Sequence, residues 1–344
     1  MKAILCKSLD GPGALEFAEI GPAEPGTGEV AIRVSAVALN FLDTLIVRGK
    51  YQTKPDLPFS PGGELAGTIT RIGPGVDGLS TGQRVAAYTG YNGCREEVIA
   101  PARRVIPLPD GISDEAAASI PIAYGTALHG LEDRGHLWPQ QTVLVLGATG
   151  GAGLAAVEVA ACLNAEVVAA GTSDEKLKLC QERGANALMN LTGLDVKEAV
   201  RALNGGKGPD VIYDCIGSSY AEPALRGIAW GGRYLVVGFA AGDIPKIPLN
   251  LVLLKGCDLA GVYWGRHVAL NLPAFKDQMN RLIQWCVEGK IKPHIDRVFS
   301  LAETADALKA IEARQIKGKV IVKLNEGQKP EAAEPDKGVP EQKS

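Results

Sequence analysis

The sequence lacks long hydrophobic runs. Its apolar stretches, such as residues 143–146 and 251–254, are far shorter than the roughly 20 residues that span a bilayer. The N-terminal segment has only four apolar residues between Lys2 and Lys7, which is too short for the core of a secretory signal. We therefore expect a cytoplasmic protein that does not use a membrane as a partner.

Excess charge and clustered metal-binding side chains are also missing. Thirty-six Lys and Arg face 39 Asp and Glu, so the formal charge of −3 gives no electrostatic reason to bind nucleic acid. The seven cysteines are scattered without a Cys-x-x-Cys pair, as is typical of reduced thiols. The four histidines form no His-x-x-x-His pair, so the sequence predicts no metal site from local spacing.

What is present favours two packed domains. Hydrophobic residues make up 46% and charged residues 22%, enough apolar material for a substantial core. Short β-rich runs between Gly/Pro turns, typical of a small barrel or sandwich, lie at 30–38, 64–73, 83–88 and 95–100. Strand-like runs that alternate with helical ones, as in a doubly wound parallel sheet, lie at 143–147, 166–171, 210–215 and 233–237.

The remaining elements follow from the same patterns. Helices are predicted at 153–163, 175–183 and 269–288, the second ending at Gly184. Strands predicted at 295–300 and 319–324 suggest that the chain returns to its first domain. The segment 325–344 is rich in Pro, Glu, Lys and Gln, and we expect it to be disordered.

A glycine turn carries the strongest functional signal. An aliphatic strand is followed by Gly147, Thr149, Gly150, Gly151, Ala152 and Gly153, and then by an Ala-rich helix. Glycine permits the sharp turn and the close approach of a pyrophosphate, which the helix N-terminus can bind through its free N–H groups. The turn predicts a dinucleotide site.

The end of the second strand favours NADPH over NADH. It reaches Gly171 without the acidic residue that would bind an adenosine ribose 2′-hydroxyl. Lys176 could reach a 2′-phosphate, with Thr172 or Ser173 supplying a hydroxyl. Alternatively, Lys176 is a solvated residue behind a capping box of Thr172 and Glu175.

Several motifs together resemble one family. They are Asn40-Phe-Leu-Asp-Thr, Arg48-Gly-Lys-Tyr51, Pro61-Gly-Gly-Glu64-Leu-Ala-Gly67, Gly82-Gln-Arg-Val, Tyr124-Gly-Thr126, the glycine turn, Val237-Gly-Phe239, and Arg314 with Gly318. They cover residues 1–324 and resemble the zinc-free quinone oxidoreductase (zeta-crystallin-like) branch of the medium-chain dehydrogenase/reductase superfamily.

The resemblance implies an α/β protein of two domains with a cleft between them. Residues 1–123 and 295–324 would form a GroES-like β-barrel domain, and 124–294 a doubly wound Rossmann domain that binds NADP(H). Zinc-dependent relatives carry ligands where this chain has Asn40 or Phe41, Gly63 and about Ala118. None of these can ligate zinc, so we expect no metal and no zinc-dependent alcohol oxidation.

The implied activity is hydride transfer from NADPH to a quinone or to the conjugated double bond of an α,β-unsaturated carbonyl compound, including enoyl thioesters. Asn40, Tyr51 and Thr126 would lie beside the nicotinamide and the substrate, and Phe239, Val262 and Arg314 would contribute to the cofactor site. Relatives also form homodimers by continuing the sheet, and the apolar run 258–264 is the expected edge.

Other interpretations remain open. Asn40 could cap the helix that begins near Phe41, and Tyr51 could be a loop anchor. Asp43 is expected in a structural ion pair with a nearby Arg or Lys. Leu45 replaces a tyrosine of many relatives, which indicates a more apolar pocket, and Leu191 replaces a tyrosine near the 2′-phosphate. The alternative function is a non-catalytic, crystallin-like NADPH-binding protein.

Overall fold

The computed structural model describes residues 1–324; the predicted disordered tail, 325–344, lies outside them. The strands are β1 Lys2–Cys6, β2 Leu15–Glu19, β3 Glu29–Leu39, β4 Glu64–Ile72, β5 Arg84–Tyr88, β6 Glu97–Pro101, β7 Val105–Pro107, β8 Thr142–Leu146, β9 Glu166–Gly171, β10 Ala187–Asn190, β11 Val211–Asp214, β12 Arg233–Val236, β13 Asp258–Gly261, β14 Ile295–Ser300 and β15 Lys319–Lys323.

The α-helices are α1 Phe41–Ile46, α2 Asp114–Ala118, α3 Gly125–Leu128, α4 Gly151–Cys162, α5 Asp174–Glu182, α6 Val196–Gly206, α7 Ala221–Gly227, α8 Leu249–Lys255, α9 Trp264–Leu270, α10 Leu272–Val287 and α11 Thr304–Glu312. Two π-helical segments, Ile120–Tyr124 and His129–Arg134, flank α3 and make one continuous helical stretch with it. Short 3₁₀ turns lie at Pro12–Ala14, Ala102–Arg104, Ser218–Tyr220 and Leu301–Glu303.

The first domain is built on a seven-stranded sheet in the order β14-β15-β3-β4-β5-β7, with β6 also paired to β3. Its long central strand β3 pairs antiparallel with β4, β6 and β15. Buried aliphatic residues of β3 and β4, such as Ile32, Val37 and Leu65, form the core of this domain. The two C-terminal strands therefore lie in the same sheet as the N-terminal ones.

The second domain is a six-stranded parallel sheet in the order β10-β9-β8-β11-β12-β13. Every residue of β8 is buried, as expected for a central parallel strand covered on both faces. The order reverses beside β8, so the turn that follows this strand lies at the topological switch point, where such sheets bind ligands. The predicted combination of a GroES-like domain and a doubly wound domain is confirmed.

Two predicted elements differ from the structure. The helix expected over 269–288 is two helices, because Asn271 ends α9 and its side chain accepts a hydrogen bond from Ala274 N to start α10. The run 258–264 forms the sheet edge, but its strand ends at Gly261 and Trp264 begins α9. Within residues 1–324, no helix combines the length and apolarity needed to cross a bilayer.

The last strand connects the two domains. Immediately before β15, Gly318 N donates to Thr149 O at 3.2 Å, and Gly318 bridges to Gly150. A side chain at Gly151 would contact Gly318 O at 2.9 Å and Lys319 Cδ at 3.2 Å. The start of β15 is therefore packed against the glycine turn of the second domain.

Candidate active site

The glycine turn is sterically restricted at both ends. Gly147 has a φ of +79°, and a Cβ there would lie 2.6 Å from the Ile216 side chain. A Cβ at Gly153 would collide with Gly147 O and lie 2.7 Å from Ala148 Cα. Gly150 precedes the first turn of α4 in an extended conformation. The helix itself does not use the N–H groups of that first turn, so they can bind an anion.

Two basic residues meet beside the second strand. Lys176 Nζ donates to Arg314 O at 3.0 Å, and Arg314 Nη2 donates to Ala240 O at 3.0 Å. The strand end at Gly171 carries no charge. The structure thus brings together the two cations that the sequence offered for a 2′-phosphate, although they are 138 residues apart in the chain.

The expected capping box is wrong. Ser173, not Thr172, is the N-cap of α5, and its Oγ accepts from Lys176 N at 3.4 Å. Glu175 instead forms an ion pair with Lys317 at 2.5 Å. Thr172 is exposed, and its carbonyl accepts from Thr192 Oγ1.

Asn40 lies in a network with a buried ion pair. Lys319 Nζ lies 2.7 Å from both Asn40 Oδ1 and Glu64 Oε1, and Asn40 Nδ2 donates to Glu64 Oε1 at 2.8 Å. Lys319 and Glu64 side chains are only 3% and 0% exposed. Glu64 Oε2 also accepts from Ile122 N at 2.6 Å. The network joins the end of β3, the start of β4 and the start of β15 to the helical stretch between the domains.

This network fixes the orientation of the Asn40 amide. Its oxygen faces the ammonium group and its nitrogen faces the carboxylate. Asn40 occupies the N-cap position of α1, and its backbone N–H donates to the side chain of Asp43 in a capping box at 2.8 Å. The remaining Nδ2 contact is a long one of 3.5 Å to Ala38 O. Asn40 therefore retains one weakly engaged N–H.

Asp43 is buried and makes no ion pair within residues 1–324, so the expected pairing with Arg or Lys is wrong. Its carboxylate accepts from Asn40 N at 2.8 Å and from Gly62 N at 3.0 Å. Burial raises the pKa of Asp43 to about 7, while these backbone N–H groups act in the opposite direction. Asp43 holds the Asn40 loop against the Gly62 turn.

Tyr51 lies among other tyrosines. Burial raises its pKa well above the ordinary value, and nearby Tyr88 and Tyr263 raise it further. Burial also raises the pKa of Tyr88 to about 12, although Arg104, which lies over its ring at 5.7 Å, acts against this. The Tyr51 and Tyr88 phenols therefore remain protonated at neutral pH and are available as hydrogen-bond donors. Leu45 replaces a tyrosine that many relatives carry. Tyr88 and Tyr263 nevertheless supply phenol groups near Tyr51.

The other predicted site residues lie along the helical stretch and at the strand ends. Thr126 is half-buried in α3, beside Gly125, where a side chain would collide with the Trp264 indole. Phe239 follows β12 with its ring against Gly217, and Val262 follows β13 and is buried. The carboxyl ends of parallel strands share one edge of a sheet, so Phe239 and Val262 lie at the same edge as the glycine turn.

Lys319 and Tyr88 are site residues that sequence reasoning missed. Lys319 opens an apolar strand of sequence KVIVK, and a lysine at a strand end normally indicates a solvated position. The only sequence signal for Lys319 was Glu64. This carboxylate lies in a Gly-rich motif, and a buried carboxylate needs a cation as its partner. Its partner is 255 residues away, so no local pattern could identify it.

The zinc positions of related dehydrogenases do not fit a zinc ion here. Gly63 has no side chain, and any Cβ there would lie 2.7 Å from Gly90 O. Ala118 is fully buried and offers no donor. The Asn40 oxygen already accepts from Lys319. The ligand chemistry that holds catalytic zinc, imidazole and thiolate, is absent from these three places.

The two domains, the glycine turn at the switch point and the cleft residues define a two-domain dehydrogenase/reductase. Family models match in both parts: an alcohol dehydrogenase GroES-like domain over residues 26–110 and a zinc-binding dehydrogenase domain over 151–287. The chain is 40% identical to quinone oxidoreductase-like protein 2 of Bos taurus over 324 residues, which cover 94% of this chain and 92% of that one.

Two further relatives agree. Quinone oxidoreductase of Pseudomonas aeruginosa is 32% identical, over 93% of this chain and 99% of its own. The crystal structure of Escherichia coli quinone oxidoreductase complexed with NADPH is 25% identical and superposes with a TM-score of 0.88, covering 94% of this chain and 100% of that one. The chain belongs to the quinone oxidoreductase-like branch of the medium-chain dehydrogenase/reductase superfamily, which confirms the resemblance found in its motifs.

Proposed function

We propose that this protein is an NADPH-dependent, zinc-independent reductase that transfers a hydride to a quinone or to the conjugated double bond of an α,β-unsaturated carbonyl compound. The observation that carries the proposal is the Asn40–Lys319–Glu64 network at the place where zinc-dependent relatives hold their metal. A network of hydrogen-bond donors beside protonated tyrosines can assist the reduction of a quinone or an unsaturated carbonyl compound. It offers no Lewis acid to lower the pKa of an alcohol for oxidation.

The cofactor part of the proposal rests on the glycine turn and the cations beside Gly171. The first turn of α4 would bind the pyrophosphate, and Lys176 with Arg314 would bind the 2′-phosphate. The NADPH in the Escherichia coli relative supports this choice. When bound, NADPH supplies the hydride, and the protein contributes position and electrostatics.

The chain's own residues would act on the acceptor oxygen. As hydride arrives, negative charge develops on that oxygen, and preorganised donors stabilise it. Asn40 can offer its weakly engaged Nδ2–H, because Lys319 and Glu64 already hold the amide in one orientation. Tyr51 can donate its hydroxyl hydrogen. Since burial raises the pKa of Tyr51, we assign it hydrogen bonding rather than complete proton transfer.

A non-catalytic NADPH-binding protein is the alternative, and the same cofactor site would serve it. Asn40, Tyr51 and Tyr88 favour the enzyme, because a binding protein has no need of donors around an acceptor site. The acceptor class stays open between quinones, enals or enones, and enoyl thioesters.

The test is NADPH oxidation by the full chain against ortho-quinones, para-quinones, enals and enoyl-CoA esters. NADPH and NADH are compared with each acceptor, before and after exhaustive chelation. We expect turnover with at least one class, preference for NADPH, and no loss on chelation. Tight NADPH binding without turnover on any class would favour the alternative. Loss of turnover on chelation that zinc restores, in a sample that stays fully folded, would refute zinc independence of the reaction.

We also propose a homodimer that continues the Rossmann sheet across β13. This strand is the edge of the sheet, and the neighbouring helix α8 exposes Leu249, Leu253 and Leu254 at 77%, 78% and 67%. Exposed apolar side chains beside an unpaired strand are typical of an interface between copies. A cytoplasmic location remains our prediction.

A further inference from the structure

Four polar side chains form a cluster on the side of the second domain. His129 and Asp133 lie one helical turn apart in the segment His129–Arg134, His267 lies in α9 and Gln278 in α10. His129 and Gln278 are buried, while Asp133 and His267 are half-buried. Three separate elements thus converge on one partly accessible place.

The polar atoms of this cluster are close together. One ring nitrogen from each histidine and one carboxylate oxygen of Asp133 lie within 4.8 Å of one another. His129 Nδ1 lies 2.7 Å from Asp133 Oδ2, and the two imidazole rings stack with centroids 4.0 Å apart. Ligand atoms around a tetrahedral ion with bonds of about 2.1 Å are roughly 3.4 Å apart. Small side-chain rotations would therefore bring all three atoms to coordination distance.

Gln278 holds two of these groups in place. Its Nε2 donates to Asp133 Oδ2 at 2.8 Å, and its Oε1 lies 3.1 Å from His267 Nε2. Ligands of metal sites are usually fixed by such outer hydrogen bonds, which set the orientation of the imidazole and the carboxylate. The cluster has both an inner set of three ligand groups and an outer group that orients them.

We propose that His129, Asp133 and His267 bind a divalent first-row transition metal ion of the zinc type. Two imidazoles and one carboxylate suit zinc, whereas magnesium and calcium prefer oxygen ligands alone. The ion takes the place of the hydrogen bond between His129 Nδ1 and Asp133 Oδ2, and the neutral imidazole then carries its proton on Nε2. Water completes the coordination.

This site is separate from the Asn40 cleft and does not depend on the proposed reaction. The Trp264 ring lies 5.5 Å from His267 and 5.9 Å from Phe275, and Phe275 lies 6.4 Å from Tyr88. The cluster is thus two aromatic rings, Trp264 and Phe275, away from Tyr88. A metal here joins the helical stretch, α9 and α10, so its expected effect is on stability.

The experiment measures zinc binding to the untagged full chain by titration calorimetry and by the shift in melting temperature. We expect about one equivalent bound, with a rise in melting temperature. His267→Ala and Asp133→Asn should each weaken binding on the order of 100-fold or more, and Gln278→Ala by roughly 10- to 100-fold. His136→Ala and His294→Ala, which lie outside the cluster, should bind like the parent chain.

Asp133→Asn has nearly the shape of the parent residue, so it separates loss of a ligand from loss of folding. A normal melting temperature without metal, together with lost zinc binding, supports the site. No saturable binding to the parent chain overturns it. Equal affinity in the parent, His267→Ala and Asp133→Asn also overturns it, since the ion would then lie elsewhere.

Discussion

The Asn40 side chain completes a buried ion-pair network, and its second Nδ2–H makes only a long contact of 3.5 Å to Ala38 O. Asn40→Ala should lower turnover by a transition-state cost on the order of 3 kcal/mol, as for loss of one oxyanion donor. Enone reduction should suffer more than quinone reduction, because a quinone is intrinsically the better hydride acceptor. NADPH affinity should change little.

Turnover on both acceptors, NADPH affinity and melting temperature are measured on the same Asn40→Ala sample. Equal losses on the two acceptors, in proportion to a lower melting temperature, would remove Asn40 from the catalytic assignment.

Lys319 and Glu64 form the second residue-scale prediction. Lys319→Met leaves the Glu64 carboxylate buried without its cation, which should cost about 3–5 kcal/mol in the free energy of unfolding. Combining Lys319→Met with Glu64→Gln removes both charges and should recover part of that loss. Chemical denaturation of the two single variants and the double variant gives the coupling. Strictly additive losses would mean that the pair does not act as a unit.

Asp43 gives the third prediction, on pH dependence. Its pKa of about 7 in the folded protein exceeds the roughly 3.9 of an unfolded aspartate. Between these values the folded state binds more protons, so the contribution of Asp43 to stability falls as pH rises from about 4 to about 7 and is constant above. Asp43→Asn removes this dependence.

The measurement for Asp43 is the free energy of unfolding of the parent and Asp43→Asn from pH 5 to pH 8. Parent minus variant should fall by up to about 1.4 kcal/mol per pH unit below about pH 7. A difference that stays flat from pH 5 to pH 8 would mean that the two backbone N–H groups offset burial and that the pKa of Asp43 is not raised.

At the scale of elements, the first turn of α5 and the loop after α11 meet at Lys176 and Arg314. Lys176→Ala should weaken NADPH binding by about 1–2 kcal/mol, the range of one charge-assisted contact, and leave NADH binding nearly unchanged. Lys178→Ala, an exposed lysine of the same helix, is the matched control. Fluorescence titration with both nucleotides checks this. Equal affinities of the parent chain for NADPH and NADH would contradict the assigned preference for NADPH.

For the whole molecule, the prediction concerns assembly. If α8 and the edge strand β13 form the dimer interface, Leu253→Asp should produce monomers, because a charge is placed in an apolar contact. Leu194→Asp is the control: that leucine is also exposed but follows β10, at the opposite edge of the sheet. Sedimentation velocity at micromolar concentration distinguishes the states, and a monomeric parent chain would contradict the dimer.

The sequence by itself determined the fold class and the dinucleotide turn. Both are local: alternating β-rich and helical runs follow from side-chain periodicity, and the turn follows from glycines placed between an apolar strand and an Ala-rich helix. The strand at Glu166–Gly171 and the strand at Ile295–Ser300 match their predicted bounds for this reason. The edge position of Asp258–Gly261 also agreed, although Trp264 proved helical.

Only the tertiary structure decided which distant residues share a site. Lys319 meets Asn40 from 279 residues away and Lys176 meets Arg314 from 138, distances over which no spacing rule applies. The same holds for His129 and Asp133 with His267, where the search for a His-x-x-x-His pair overlooked a His-x-x-x-Asp pair completed by another helix. Sequence periodicity specifies faces of single elements. Contacts between elements depend on how those faces pack, which is why the buried cation and the histidine cluster appeared only in three dimensions.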